Sequence, residues 1–222
     1  MSDNGSCAEK PACFGPDQFQ AEFGISDDVR QNLAHYAALL DKWQRHINLV
    51  SKNSLAELWQ RHMRDSAQLT NYVDLLQSPW LDIGSGAGFP GLVMAILLSE
   101  RLVSPVQLVE SDARKSVFLR EVIRVTRAPA LVHNVRVENL STQIIGGHAR
   151  IITARALASV HGILELTGAI SNSETVYLLL KGQDIDDELT SAAKYRKMTV
   201  KQHPSRTASA GKVLILTEVD RV

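Results

Sequence analysis

From residue 79 onward, short β-rich runs alternate with helical stretches, and this alternation constrains the fold of the 222-residue chain more than any other feature. The β-rich runs are WLDIG, PVQLVES, LVHNVRV, ARIITARA, TVYLLLKG and KVLILTEV. Helical patterns lie between most of them, over residues 92–100, 112–126, 160–170 and 184–195. Alternation of this kind indicates parallel strands joined by right-handed crossovers. The stretch from about residue 197 to residue 222 has the pattern of two strands with no helix between them. We therefore expect an α/β fold with a doubly wound, mostly parallel seven-stranded sheet and at least one antiparallel strand.

The N-terminal third of the chain has a different pattern. Residues 1–24 are rich in Gly, Pro, Ser, Asn and Asp, which predicts a mobile acidic tail. Residues 25–78 contain two helical patterns, the first capped by Ser26 and the second over residues 55–76. We therefore predict an N-terminal helical extension over residues 25–78 and an α/β domain over residues 79–222.

Composition bounds the class of protein. There are 24 basic and 24 acidic residues, and no run of 18 apolar residues long enough to cross a membrane. The N-terminus lacks the basic start and apolar stretch of a signal peptide, and the two cysteines, Cys7 and Cys13, are too few for a disulfide framework. We expect a cytoplasmic monomer with no metal site and no membrane partner.

The strongest local motif is LDIGSGAGFPG, over residues 81–91, which begins in a strand and opens into a helix. Glycines at 84, 86 and 88 allow a sharp turn and the close approach of a ligand. The next strand ends at Glu110, whose carboxylate could accept hydrogen bonds from two ribose hydroxyls. The alternative is a structural turn with a surface glutamate.

The glycine spacing indicates which nucleotide-like ligand the turn would take. Dinucleotide sites use Gly-x-Gly-x-x-Gly to receive a pyrophosphate, whereas this turn has Gly-x-Gly-x-Gly preceded by Asp82. This form resembles motif I of methyltransferases that use S-adenosylmethionine (AdoMet), a ligand with an ammonium group and no phosphate. Asp82 would attract that ammonium group, or it would simply cap the turn.

Several further motifs give the chain a specific resemblance. They are Arg61-His62-x-x-Asp65-Ser66, Val109-Glu110-Ser111, Arg136-Val137-Glu138, Ala154-Arg155-Ala156 and Leu180-Lys181-Gly182. Together with the glycine turn and Pro90-Gly91, and in this order over residues 30–222, they resemble the bacterial RsmG (GidB) family. That family methylates N7 of a guanine in the 530 loop of 16S rRNA, so the resemblance implies a class I, Rossmann-like AdoMet methyltransferase acting on 16S rRNA or the small ribosomal subunit.

The resemblance also implies site residues. The cofactor-binding set is Asp82, Gly84, Gly86, Gly88, Phe89, Glu110, Val137, Glu138 and Arg155. Within it, Glu110 would hold the ribose, Val137 and Glu138 would lie along the adenine, and Arg155 would face the cofactor or the substrate. The chain departs from the family pattern at Arg150, because members of the family often have an Asp at this position, five residues before Arg155.

The predicted chemistry needs no general base, because guanine N7 carries a lone pair and no proton. The enzyme then has mainly to position the base, and the candidates for this role are Arg155, His62, Asp65 and Lys181. The alternative for His62 is a packed histidine, because it lies on an apolar stripe with Leu58 and Leu69. The alternative for Lys181 is a residue at the end of a strand with no contact to the substrate.

The neutral total conceals an uneven distribution of charge. Residues 1–28 hold one Lys against six acidic residues, so the remainder of the chain carries a net charge of +5. Basic residues cluster over residues 114–136 and 194–212, where they could bind phosphate or form a solvated surface. The RNA-binding candidates are Arg61, Arg120, Arg124, Lys181, Lys201, Arg206 and Lys212. We expect residues 201–212 to form a mobile basic loop.

Two other functions fit the same residues. One is an AdoMet methyltransferase with a different RNA or a small molecule as its target, in which case the helical extension would be a lid. The other is a non-catalytic AdoMet-binding module. A nicotinamide dehydrogenase is disfavoured by the glycine spacing.

Overall fold

The computed structural model describes residues 14–72, 77–182 and 185–221, and a seven-stranded sheet forms its centre. The strands are β1 (Trp80–Ile83), β2 (Val106–Val109), β3 (Ala130–His133), β4 (Ile151–Arg155), β5 (Val176–Lys181), β6 (Arg196–Pro204) and β7 (Lys212–Arg221). Their order is β3-β2-β1-β4-β5-β7-β6, with β1 to β5 parallel and β7 antiparallel to both neighbours. The predicted fold class is confirmed, including the antiparallel strand near the C-terminus.

Helices cover both faces of the sheet. They are α1 (Pro16–Phe23), α2 (Asp27–Gln44), α3 (Lys52–Leu55), α4 (Arg64–Ala67), α5 (Gly91–Leu97), α6 (Ala113–Thr126), α7 (Thr142–Ile145), α8 (Val160–Thr167) and α9 (Ile185–Ala193). One hydrophobic cluster joins the helices up to α6 to one face of the sheet, and a second joins α7, α8 and α9 to the other. Among the helices of the described ranges, none combines the length and apolarity needed to cross a membrane.

Helix α2 packs directly against the glycine turn. Ser26 caps the helix as predicted, accepting a hydrogen bond from the Val29 N–H at 3.3 Å. On the buried stripe of the helix, the Tyr36 hydroxyl donates to the Ala87 carbonyl, and its ring stacks on Phe89 with centroids 5.4 Å apart. The N-terminal extension therefore shares one core with the sheet and supports the turn that follows β1.

The second predicted helix, over residues 55–76, is broken into short pieces. Helix α3 ends at Leu55, a π-helical turn covers Trp59–Met63, α4 follows it, and a 3₁₀ turn covers Gln68–Asn71. A π turn is wider than an α turn and commonly lies at functional sites. Residues 73–76 lie outside the described ranges, so the predicted boundary between residues 78 and 79 stays a prediction.

The prediction of a mobile tail up to residue 24 is wrong for its second half. Residues 16–23 form α1, with Pro16 in the first turn, where its missing N–H is not needed. Phe19 is fully buried and packs edge-on against Trp59 at 5.5 Å between centroids, and Glu22 pairs with Arg64 at 2.8 Å. Proline and glycine are common loop residues, although here they begin and end a helix. Residues 1–13, with Cys7 and Cys13, lie outside the described ranges.

The docking of α1 can be tested by truncating its buried side chain. We expect Phe19→Ala to lower the free energy of unfolding by about 3–5 kcal/mol, because it leaves a cavity beneath Trp59. Val103→Ala is the control, since Val103 is 76% exposed and its truncation should change the free energy of unfolding by less than about 0.5 kcal/mol. Urea titration of both variants measures the difference. Equal unfolding midpoints for Phe19→Ala and the wild type would contradict the docking.

Candidate active site

A cavity of about 520 Å³ opens at the carboxyl end of the parallel strands, beside the turn that follows β1. The strand order reverses between β1 and β4 at this point, which is where doubly wound sheets bind ligands. We call it the glycine-turn cavity. Seven of the predicted cofactor residues line it, namely Gly84, Gly86, Phe89, Glu110, Val137, Glu138 and Arg155.

The backbone at Gly86 shapes the floor of this cavity. Gly86 has φ +56, a left-handed conformation that favours glycine, and it lines the cavity. A Cβ there would make an ordinary contact with the Gly84 carbonyl oxygen, at 3.8 Å. The Gly86 N–H donates to Glu110 Oε2 at 2.8 Å, and the Asp112 N–H donates to Oε1 at 2.7 Å. Glu110 is therefore held in one orientation by backbone donors. Each carboxylate oxygen keeps a second lone pair for a ligand hydroxyl.

Two predicted cofactor residues do not reach the cavity. Gly88 has φ +99 and packs away from it, since a side chain there would meet Tyr36 Oη at 2.7 Å. Asp82 is fully buried beneath the turn, and its Oδ1 accepts a hydrogen bond from Thr153 at 2.7 Å. Burial raises the pKa of Asp82 to about 6, against the opposing effect of that hydrogen bond. The Asp82 carboxylate thus lies beneath the turn and outside the cavity wall, and its predicted attraction of the ammonium group stays a prediction.

Other residues line the glycine-turn cavity although they are not in the predicted cofactor-binding set. They include Leu49, Ser85, Ala87, Ser111, Lys115, Arg136 and Leu157. Ser85, Ala87, Ser111 and Arg136 lie within the named motifs and Leu157 directly follows one, so these positions could have been found from the sequence. Leu49 has no such signal. Leu49 reaches the cavity from the segment after α2, and Leu157 lies over Gly84 from the loop after β4.

A second cavity, of about 770 Å³, adjoins the first. Both are lined by Arg155, Ala156 and Leu157, so the loop after β4 is the wall between them. The turn that joins β6 to β7, residues 205–211, forms another side of the second cavity, which we call the hairpin cavity. Five predicted residues line it, namely Arg61, His62, Asp65, Lys181 and Lys212.

Asp65 ties the hairpin turn to the N-terminal extension. Its Oδ1 accepts hydrogen bonds from Gln68 Nε2 at 2.7 Å, Ser205 Oγ at 3.2 Å and Thr207 Oγ1 at 2.6 Å. The prediction of a mobile loop over residues 201–212 is wrong, because Lys201 belongs to β6 and the turn that follows is hydrogen-bonded to α4 and the 3₁₀ turn. The segment after Pro204 is therefore a fixed wall of the hairpin cavity.

Arg155 stands where the two cavities meet. Its guanidinium carbon lies 5.0 Å from the centroid of the Phe89 ring, an arrangement that attracts a cation to an aromatic face. One guanidinium nitrogen, Nη1, donates to the Arg61 carbonyl at 3.3 Å and lies 3.8 Å from Asp65 Oδ2. Arg155 lines both cavities, and its predicted role of facing the cofactor or the substrate stays a prediction.

His62 is a packed aromatic residue. It is 7% exposed, and its ring stacks on Phe89 with centroids 4.8 Å apart. Burial is the main cause that lowers its pKa to about 3, and the positive charges of Arg155 and Arg61 add to the effect. His62 is therefore neutral at physiological pH and is not a proton carrier, although its place on the cavity wall lets it contact a substrate.

Lys181 is held by protein groups. Its Nζ donates to the Ala158 carbonyl and to Glu188 Oε2 at 2.8 Å, and its side chain is 8% exposed. The same Glu188 oxygen accepts the Val160 N–H at the start of α8. This ion pair fixes α8 and α9 around the hairpin cavity, and the contact of Lys181 with RNA stays a prediction, since Lys181 also lines that cavity.

The remaining basic candidates are distributed over several surfaces. Arg120 and Arg124 lie on exposed positions of α6 outside both cavities, and Arg124 pairs with Glu121 at 2.8 Å. Lys201 is exposed on the edge strand β6, and Arg206 lies in the hairpin turn, 3.7 Å from Glu22. Arg150, where the family pattern is broken, lies at the start of β4, at the opposite end of the strand from Arg155 and away from both cavities.

The neutral state of His62 has a measurable consequence. Because its pKa is about 3 in the folded protein and 6.5 for a solvated histidine, the unfolded chain takes up a proton first as the pH falls. Protonation of His62 in the unfolded chain should therefore lower the free energy of unfolding by about 2 kcal/mol as the pH falls from 7 to 5. Urea titration should show that His62→Phe, which keeps an aromatic ring against Phe89, loses this part of the pH dependence. An unchanged pH dependence in the variant would contradict the burial of a neutral His62.

Comparisons with known proteins identify the family of the chain. A family model described as GidB, rRNA small subunit methyltransferase G, matches residues 29–213. The ribosomal RNA small subunit methyltransferase G of Parvibaculum lavamentivorans is 46% identical over 92% of this chain and 89% of its own length. That of Rhodospirillum centenum is 45% identical over 93% and 92%.

Solved structures match in fold at low sequence identity. Cofactor-bound Rv0187 from MTB matches with a TM-score of 0.59 and 14% identity, over 92% of this chain and 98% of that chain. A TehB-like SAM-dependent methyltransferase from Corynebacterium glutamicum matches with a TM-score of 0.52 and 14% identity, over 84% and 99%. The family model and the similarity to relatives across most of the sequence show that the chain belongs to the GidB family of rRNA small subunit methyltransferase G proteins.

Proposed function

We propose that the protein transfers a methyl group from AdoMet to N7 of a guanine in the 530 loop of 16S rRNA. The observation that carries the proposal is the meeting of two cavities at Arg155, Ala156 and Leu157, since methyl transfer requires cofactor and base to approach each other directly. The enzyme would act in the cytoplasm, as a monomer, on the small ribosomal subunit or on its free rRNA.

The glycine-turn cavity fits the cofactor in chemistry and in size. Its volume of about 520 Å³ lies within the usual range for ligand pockets. Gly86 lines the cavity at the turn, and Glu110 offers acceptor lone pairs to ribose hydroxyls. Val137 and Glu138, in the 3₁₀ turn after β3, line the side where an adenine ring would lie.

The residues at the wall between the cavities support positioning of the reactants. AdoMet supplies an electrophilic methyl group on a sulfonium sulfur, and guanine N7 presents a lone pair with no proton to remove, so the reaction requires no general base. His62 is neutral, and three hydrogen bonds to Oδ1 hold Asp65 in one orientation. Holding the reactants in line can contribute on the order of 7–11 kcal/mol to lowering the barrier.

The test is transfer of a labelled methyl group to small ribosomal subunits and to naked 16S rRNA, with the modified base mapped. We expect label at N7 of one guanine in at least one of these substrates. Absence of label at any guanine N7 in both would overturn the proposal. Label at another base would identify a different methyltransferase.

Gly86→Asp tests the cofactor site. The new carboxylate would project toward the cavity beside Glu110, so we expect AdoMet binding to be lost through steric conflict and like-charge repulsion. Isothermal titration calorimetry measures the affinity. Gly146→Asp is the matched control, because Gly146 also has a positive φ with open space around it and lies outside both cavities. Normal AdoMet binding by Gly86→Asp would show that the cofactor site is elsewhere.

Arg206 in the hairpin turn and Lys212 at the start of β7 should contribute to RNA binding. We expect the double variant Arg206→Gln/Lys212→Gln to weaken RNA binding and to reduce the slope of log affinity against log salt by about 1 for each RNA phosphate that the variant no longer neutralises. AdoMet affinity should be unchanged. The control is Arg45→Gln/Arg101→Gln, which removes the same charge from exposed positions outside both cavities. Unaltered RNA affinity and salt slope in the first variant would remove this surface from the proposal.

A further inference from the structure

Asp65 and Arg155 face each other across the wall of the hairpin cavity with hydrogen-bonding capacity to spare. Their side chains are 15% and 20% exposed, and Asp65 Oδ2 lies 3.8 Å from Arg155 Nη1. That distance is too long for a direct hydrogen bond. Within the described ranges, the hydrogen bonds to this carboxylate all reach Oδ1, which leaves Oδ2 as an acceptor beside the guanidinium donor.

Such a pair presents an acceptor and a donor side by side. Guanine carries the complementary pattern, since its O6 accepts a hydrogen bond and the adjacent N1–H donates one. Two hydrogen bonds to neighbouring atoms of one base leave their protein partners a few ångströms apart, as these two groups are. Enzymes that modify a base commonly read it along this Watson–Crick edge after it leaves the helical stack.

We propose that Asp65 and Arg155 are the specificity-determining pair for the target base, with Asp65 Oδ2 accepting guanine N1–H and Arg155 Nη1 donating to O6. The inference rests on the proposed function and deepens it, because it states how the hairpin cavity recognises guanine. Arg155 contacts O6 alone, which leaves the N7 lone pair free to attack the methyl group. The usual bidentate contact of arginine with O6 and N7 would block that lone pair.

The pair can discriminate among the bases because adenine and cytosine have the hydrogen-bond donor and acceptor of guanine in exchanged positions. Adenine and cytosine place a donor amino group beside an unprotonated ring nitrogen, so both contacts would become donor–donor or acceptor–acceptor conflicts. Uracil shares the pattern of guanine but has no N7 to methylate. A free phosphate group would suit Arg155 but would be repelled by the Asp65 carboxylate.

The surroundings hold the pair in place. Oδ1 of Asp65 is fixed by Gln68, Ser205 and Thr207, so Oδ2 has a defined direction. Arg155 is fixed over the Phe89 ring and by the Arg61 carbonyl. Because these supports come from the N-terminal extension, the glycine turn and the hairpin turn, base recognition depends on all three.

Asp65→Asn tests the pair with 16S rRNAs made by splinted ligation, in which the methylated position is guanine, inosine or 2-aminopurine. Inosine keeps O6, N1–H and N7, whereas 2-aminopurine keeps N7 but lacks O6 and has an unprotonated N1. We expect the wild type to methylate inosine within a few-fold of guanine and 2-aminopurine about tenfold to a hundredfold less efficiently in kcat/KM.

In Asp65→Asn, the amide oxygen can keep the three hydrogen bonds of Oδ1, and the amide nitrogen replaces the acceptor Oδ2 with a donor. We expect kcat/KM for guanine and inosine to fall at least about tenfold, with 2-aminopurine unchanged or improved. The preference for guanine over 2-aminopurine should therefore shrink. AdoMet affinity, measured by calorimetry, should stay at the wild-type value.

A second variant separates recognition from support of the hairpin turn. Ser205→Ala/Thr207→Val removes two donors to Oδ1 and keeps Oδ2, so methylation of all three RNAs should change in the same proportion. If Asp65→Asn also lowers all three equally, the recognition role is wrong and Asp65 is only structural. If the wild type methylates no guanine N7, the proposed function itself fails, and the two failures are thereby distinguished.

Discussion

The ring of Phe89 is the point of contact on which both cavities depend. It is buried, and it contacts Tyr36 from α2, His62 from the π turn and the guanidinium of Arg155 from the end of β4. Aromatic stacking and the cation–π contact are each modest in energy. The importance of these contacts is geometric, because they hold α2, the π turn and the end of β4 against Phe89.

This arrangement explains why a protein with no net charge can have a strongly polar site. The charges that matter are local: Arg155, which lines both cavities, stands beside Asp65, and Lys181 is paired with Glu188 on the wall of the hairpin cavity. Burial of His62 in its neutral form avoids a further positive charge next to Arg155. The electrostatic character of the site is thus set by a few partly buried pairs.

Alternation of strands and helices was enough to predict the sheet and its antiparallel C-terminal strand, because these depend on local patterns. The resemblance to the GidB family, and not the alternation, implied seven of the residues that line the glycine-turn cavity. Side-chain partners were not predictable. Asp82 and Lys181 occupy motif positions, but long-range packing turns one inward beneath the turn and pairs the other with Glu188. Helix α1 was missed because Pro16 and Gly24 resemble loop residues until their places at the two ends of a helix are known. Leu157 lines both cavities but belongs to none of the sequence motifs.

The reversed direction of β7 has a consequence for how substrate recognition is built. Lys212, at its start, pairs with Lys181 at the end of β5, so the connection from β6 enters at the same edge as the glycine turn. This hairpin joins the last two strands at one side of the sheet and interrupts none of the parallel crossovers. Its hydrogen bonds to Asp65 and Gln68 nevertheless connect it to the N-terminal extension, so a change in the length of the turn would also move the wall of the hairpin cavity.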